Sequence, residues 1–188
     1  MTRRVHDFAS PGRFVAGTVG MPGERTFFLQ ARQGNELTSV ALEKAQVSAL
    51  ADRVDQLLDE VASTRAEEGE IPADVPPGLA DAEPLEVPIV EEFRVGAMAI
   101  GWDDASRRVV LEAHAVTEDD EDVPDIADDT TDGPDTLRVW LEPARARAFA
   151  QRARIVVSAG RPPCPFCSQP LDPSGHVCPR ANGYRRRA

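Results

Sequence analysis

In its first half the chain reads Leu42-Glu43-Lys44-Ala45-Gln46-Val47-Ser48-Ala49-Leu50-Ala51-Asp52-Arg53, and in its second half Leu141-Glu142-Pro143-Ala144-Arg145-Ala146-Arg147-Ala148-Phe149-Ala150-Gln151-Arg152. The two stretches line up residue by residue, and apolar residues recur in both with the i, i+3, i+4, i+7 spacing of an amphipathic helix. In order, these are Val47, Leu50, Ala51, Val54, Leu57, Leu58 and Val61, then Ala146, Phe149, Ala150, Ala153, Val156 and Val157. Pro143 and Gly160 suit the two ends of the second helix.

The similarity extends upstream of both helices into residues that favour strands. The paired stretches are Arg25–Ala31 with Arg107–Ala113, Arg13–Gly20 with Arg94–Gly101, and about 37–42 with about 136–141. Short turns at Met21–Glu24 and Asp103–Ser106 predict antiparallel pairing. The predicted fold class is therefore α+β: a duplicated β-β-β-α unit, with antiparallel sheets each carrying one helix and sheet edges that pair or pack together.

These patterns divide the chain into a body, residues 1–160, and a C-terminal segment, residues 161–188. Within the body we expect repeat 1 at about 13–63, a proline-rich linker at 66–90 and repeat 2 at about 93–159. Residues 118–135 interrupt repeat 2 with ten acidic residues and no basic one. Such a segment should be extended and mobile, and deletion of residues 119–134 should cost little stability. A calcium loop is disfavoured, because Val139 stands where an EF-hand needs glutamate.

Charge is distributed unevenly along the chain. The net charge is −11, yet residues 159–188 hold five arginines and one acidic residue, so the body carries about −15. That body should repel polyanions, which confines any nucleic-acid contact to the tail. The N-terminus lacks the apolar run of a signal peptide, and no stretch has the length of a membrane span, so we expect a cytoplasmic protein without a membrane partner.

All three cysteines lie near the C-terminus, in the pattern Cys164-x2-Cys167-x8-His176-x-Cys178. Three thiolates and one imidazole form a common structural zinc set, and four protein ligands leave no position for a substrate. The alternative is a C-x-x-C redox pair, but such motifs accompany a βαβ pattern that is missing from this sequence. The spacing predicts one structural Zn²⁺ in a small C-terminal zinc knuckle, and it leaves no cysteine pair for a disulfide.

Other chemistry is weakly indicated. There is neither a phosphate-binding P-loop nor a nucleophile elbow, and we predict no catalytic residue. His6 is expected in a mobile terminus and His114 as a half-exposed residue of a strand. The best binding candidates follow the zinc motif and offer guanidinium and aromatic groups: Arg180, Asn182, Tyr184, Arg185 and Arg186. They suit an anionic partner or the protein's own acidic surface, and both alternatives stay open.

The segment Cys164–Arg186, with its C-P-x-C and G-H-x-C-P-R-x-N-G-Y-R-R pattern, resembles the C-terminus of an uncharacterised actinobacterial domain-of-unknown-function family. Phe8–Phe14 and Arg25–Ala31 are similar to that family too. The resemblance implies a cytoplasmic actinobacterial protein, often encoded near a phosphoglycerate-mutase-like protein and a lipid-kinase-like protein. It transfers no activity and no catalytic residue.

Three hypotheses for function follow. The leading one is a non-enzymatic interaction or regulatory module with an unknown protein partner. The alternatives are a nucleic-acid-binding protein that uses the basic tail, and an enzyme acting on a phosphorylated small molecule. A pocket in which Arg13, Arg32 and Arg94 converge would favour the enzyme.

Overall fold

A computed structural model describes residues 2–21, 23–64, 70–117, 125–128, 130–160, 164–167, 171, 178 and 180. It confirms a mixed α+β protein. Its elements are β1 (Val5–Phe8), β2 (Arg13–Val19), β3 (Thr26–Gln33), β4 (Glu36–Leu42), α1 (Lys44–Thr64), β5 (Glu91–Asp103), β6 (Arg108–Ala115), β7 (Thr136–Leu141) and α2 (Pro143–Ser158). Neither helix is long and apolar enough to cross a membrane.

The strands form one sheet in the order β1-β7-β6-β5-β4-β3-β2. The two predicted antiparallel groups are joined into this one sheet: β4 pairs with β5 in parallel, through Ser39 with Glu91 and Ala41 with Arg94, so the sheet edges pair rather than only pack together. This pairing covers strand edges that would otherwise expose unpaired backbone groups. Three strands followed by a helix occur twice in chain order; that the two units arose by duplication stays a prediction.

The N-terminus is not the mobile segment expected from the sequence. It forms β1, which pairs in parallel with β7 from Val5 opposite Thr136 to Phe8 opposite Val139. Arg3 N–H also donates to the carbonyl oxygen of Thr131 at 2.8 Å. The strand is too short for a clear periodic pattern, and its partners lie far along the chain, so sequence periodicity could not reveal it.

The sheet is strongly curled. His6 Nδ1 on β1 lies 3.4 Å from Thr38 Oγ1 on β4, although three strands separate β1 from β4 in the sheet. Neighbouring strands are spaced by about 4.8 Å, so a flat sheet would hold these two strands about 19 Å apart. The face on which these side chains meet is therefore concave.

Both helices pack against this concave face in one apolar core. The predicted stripes are confirmed: α1 buries Val47, Leu50, Ala51, Val54, Leu58 and Val61, and α2 buries Ala146, Phe149, Ala150 and Ala153. Phe149 stacks on Phe14 of β2 with ring centroids 4.6 Å apart. Burial of each large aliphatic or aromatic side chain contributes about 1.5–3 kcal/mol, so this shared core holds the two halves together.

The linker covers the opposite, convex face over β2, β3 and β4. Leu85 packs there against Val15, Phe28 and Ala41. The side chain of Gln30 bonds the backbone of Glu86 twice, from Nε2 to the carbonyl oxygen at 3.0 Å and from the Glu86 N–H to Oε1 at 2.8 Å. This part of the linker is thus a packed layer of the body.

Residues 125–128 and 130–135 cover the same face over β6 and β7, so the expected mobile insertion is wrong for this part. The Ala127 N–H donates to Glu112 Oε1 at 3.1 Å. The carbonyl oxygen of Asp128 accepts from Arg3 Nη1 at 2.9 Å and from Arg138 Nη2 at 2.7 Å. Buried arginines bind the backbone of this acidic segment. The like charges of its own side chains gave no indication of these contacts. Residues 118–124 lie outside the described residues.

We predict that Gly17→Ala destabilises the protein by about 1–3 kcal/mol through overpacking. A Cβ at residue 17 would lie 2.5 Å from Leu85 Cγ. Gly12→Ala is the control, because its nearest neighbour would lie at 3.8 Å. Chemical denaturation should show that the cost of Gly17→Ala largely disappears in a Leu85→Ala background. An equal cost in both backgrounds would contradict the contact.

We predict that the two halves of the acidic segment differ in their effect on stability. Replacing residues 118–124 by a short glycine linker should change the free energy of unfolding by about 1 kcal/mol, the order expected for loop shortening. Replacing residues 125–132 should cost more than about 3 kcal/mol, because it removes the acceptor of two buried guanidinium groups. Denaturant midpoints of the two variants measure the difference, and equal effects would refute this division.

Candidate functional site

The three cysteines converge in space. Their sulfur atoms all lie within 4.8 Å of one another, and those of Cys164 and Cys178 are 3.8 Å apart. At zinc–sulfur distances of about 2.3 Å, two tetrahedral thiolate ligands lie about 3.8 Å apart. Cys164 and Cys178 are buried, Cys167 is half-buried, and none of the three forms a disulfide. The arrangement can therefore hold a metal ion.

A tight turn at residues 165–167 positions two of these sulfurs. The Phe166 N–H donates to Cys164 Sγ at 3.5 Å. Burial raises the pKa of the Cys164 thiol, but hydrogen bonds from the backbone N–H groups of Phe166 and Cys167 and from the Cys167 and Cys178 side chains together outweigh it, so the pKa lies below its ordinary value. Amide donors of this kind favour the thiolate, which is the form that binds metals. His176, the fourth predicted ligand, lies outside the described residues.

Of the predicted binding residues in the tail, the structure describes only Arg180. Its Nη1 donates to the carbonyl oxygen of Phe166 at 3.3 Å, so this arginine contacts the cysteine turn. Asn182, Tyr184, Arg185 and Arg186 lie outside the described residues, and their role stays a prediction.

Arg13, Arg32 and Arg94 do not converge in one pocket. Arg13 binds Asp81 at 2.7 and 3.0 Å, and Arg13 and Arg32 share Glu86 Oε1 at 3.5 and 3.0 Å. Arg94 pairs instead with Glu43 and Glu91, at 3.2 and 3.9 Å. In an acidic body each of these arginines is paired with nearby carboxylates, so the three do not form the anion pocket that would favour the enzyme.

A buried polar cluster on the convex face was missed by sequence reasoning. It comprises Glu112 and His114 on β6 and Thr136 and Arg138 on β7, all buried, and Arg3 before β1. Arg138 Nε donates to Glu112 Oε1 at 2.5 Å, and Arg3 Nε donates to Thr136 Oγ1 at 3.2 Å. His114 is thus fully buried rather than half-exposed. The alternation of side chains along β6 puts residues 112 and 114 on the same face of the sheet. The segments that cover them come from distant parts of the chain, so the sequence pattern did not indicate their burial.

Hydrogen bonding shows which nitrogen carries the proton in the neutral His114 ring. The Thr136 hydroxyl donates to the carbonyl oxygen of Pro134 at 3.0 Å, so it accepts from His114 Nδ1 at 3.0 Å. The neutral ring then leaves Nε2 bare, 3.4 Å from Glu112 Oε2, and neither atom has a hydrogen-bond partner. Burial lowers the pKa of His114, Glu112 opposes this, and Arg3 and Arg138 lower it further. This enclosed cluster holds the covering segments in place.

We predict that His114 makes the protein less stable in acid. Its pKa is lowered on folding, so above its ordinary value of 6.5 the ring is neutral in both states. As the pH falls below that value the unfolded chain binds the proton first, and stability declines by at most about 1.4 kcal/mol per pH unit from this group. Unfolding of the wild type and His114→Gln at pH 7.5 and 5.5 would measure it, because His114→Gln should lose less stability. An equal loss in both proteins would contradict the prediction.

Comparisons with known proteins agree with the extent of the fold. Residues 6–178 match the family described as "Protein of unknown function (DUF3090)". No curated protein and no solved structure matches the chain. The match runs from β1 through both helices to the last cysteine of the cluster. The chain therefore belongs to the DUF3090 family of proteins of unknown function.

Proposed function

We propose that Cys164, Cys167, His176 and Cys178 bind one zinc ion and that this ion is structural. The observation that carries the proposal is the convergence of three sulfur atoms within 4.8 Å of one another. Soft thiolates select zinc over calcium or magnesium, which take oxygen ligands. Four protein ligands would complete the tetrahedron, so the ion has no open position for chemistry.

The zinc ion orders the C-terminal segment for binding. Residues 161–188 have few apolar side chains, and a structural zinc ion contributes about 10–16 kcal/mol in small modules, enough to fold such a segment. Residues 1–160 form the body and keep their own core, which contains no cysteine. On this proposal the protein is a cytoplasmic, non-enzymatic interaction or regulatory module that presents a basic tail from an acidic body.

We further propose that the two β-β-β-α units are copies of one ancestral unit. In β3–β4 Phe27 pairs with Leu42, and in β6–β7 Val109 pairs with Leu141, which is the register expected if Leu42 and Leu141 are equivalent. Strands β2 and β5 also support this, in a register that is shifted by three residues from the sequence alignment. Met98 occupies the position in the second unit that Phe14 occupies in the first, whereas the sequence alignment placed Val95 there.

We predict one equivalent of zinc in the purified protein, and its loss in Cys178→Ser and His176→Asn. Ser174→Ala, in the same segment, should keep the metal. Metal analysis with thiol titration measures both. Less than about half an equivalent in the wild type with reduced thiols would contradict the site.

Truncation after Gly160 should still give a cooperative thermal transition, because the apolar core lies in the body. Loss of that transition would contradict the division into a body and a C-terminal segment.

Partner capture with the full chain and with the chain truncated after Gly160 tests the interaction role. A protein partner should be retained by the full chain alone and should survive nuclease treatment. Binding that is lost with nuclease and weakens steeply with salt would instead identify nucleic acid as the partner.

A further inference from the structure

A cleft of about 680 Å³ lies where the start of β3, the start of α1 and the end of α2 meet. Its charged lining consists of Arg25, Lys44, Arg94 and Glu43. Glu43 is bound to Arg94 at 3.2 Å, so its charge is compensated within the lining. The cleft therefore keeps an excess of positive charge, in a body whose net charge is about −15.

Two of these cations point at the same place. Arg25 Nη2 and Lys44 Nζ each lie 3.6 Å from the position that a Cβ on Gly160 would occupy, so they are within about 7 Å of each other. Arg25 also lies over the Phe27 ring, 5.6 Å from its centroid. Among the described residues, no carboxylate pairs with Arg25 or Lys44. Like charges that converge in this way repel each other, and an anion between them would relieve the repulsion.

The first turn of α1 adds a third source of positive potential. The helix has no acidic residue in this turn. The carboxylate of Glu43 points to Arg94, while Gln46 Oε1 accepts from the Glu43 N–H at 2.7 Å. Gln46 thus satisfies the Glu43 N–H, but neither side chain accepts from the N–H groups of residues 44–46, which carry the positive end of the helix dipole.

We propose that this cleft binds the phosphoryl group of a small phosphorylated molecule, held between Arg25 and Lys44 at the start of α1. Two cations and a helix N-terminus match the charge and acceptor oxygens of a phosphate. The volume is in the range of sites for small molecules and exceeds that of a bare anion. A small ligand is favoured over a polyanion, because the acidic body repels extended phosphate chains. The proposal does not depend on the metal site.

The competing explanation is that both cations only stabilise the C-terminus of α2, since Val157 and Ser158 also line the cleft. Cations near a helix C-terminus offset its partial negative charge. That role predicts a loss of stability on substitution, and it predicts no ligand.

The proposal is tested by calorimetric titration of the full chain with inorganic phosphate and with glycerol phosphate. Titration with chloride at equal ionic strength is the control. Both phosphates should bind saturably with one site per chain, and glycerol phosphate should bind at least as tightly. Lys44→Gln and Arg25→Gln should each weaken binding by about tenfold, the effect of losing a hydrogen bond to a charged group. Arg53→Gln, an equal charge change at an exposed position of α1 outside the cleft, should leave binding unchanged.

Three outcomes would overturn the proposal. The first is no saturable binding of either phosphate up to about 10 mM, weaker than a specific small-molecule site needs. The second is equal weakening by Arg53→Gln and Lys44→Gln, which would show unspecific attraction. The third is a lower thermal midpoint of Lys44→Gln with unchanged phosphate binding, which would assign the cations to the C-terminus of α2.

Discussion

The packing of both helices against the concave face of one curled sheet is the contact on which the rest of the structure depends. Because β4 and β5 pair, the two halves of the chain share a single core, in which Phe14 of β2 stacks on Phe149 of α2. Neither half has a separate interior. The curl also brings β1, at one edge of the sheet, across the concave face to β4, where His6 meets Thr38.

The convex face of the sheet is covered by irregular chain. Leu85 of the linker lies over Gly17, and Ile126 lies over Gly101, where a Cβ would come within 3.2 Å of its side chain. Each cover has a backbone N–H that donates to a buried side chain, Gln30 for the linker and Glu112 for the second segment. A buried acceptor that receives a backbone N–H satisfies both groups, which lets loop backbone lie on an apolar sheet.

Two candidate sites lie at the end of the body. The cysteine cluster begins at Cys164, a few residues after Gly160, and Gly160 itself lines the cationic cleft. One site offers soft ligands to a metal, while the other offers guanidinium and ammonium groups to an anion. Their chemistry is distinct, so metal content and anion binding can be measured separately in the same protein.

The sequence by itself determined the helices, most strands and the cysteines that could hold a metal ion. The apolar stripes of α1 and α2 follow from the helical period, and Cys164, Cys167 and Cys178 lie close together in the chain, so both signals are local. Tertiary structure alone decided the parallel pairing of β1 with β7 and the burial of His114 beneath distant segments. It also decided the meeting of Arg25 with Lys44 beside Gly160. These contacts join residues far apart in the chain, and local propensity and spacing carry no information on such pairs.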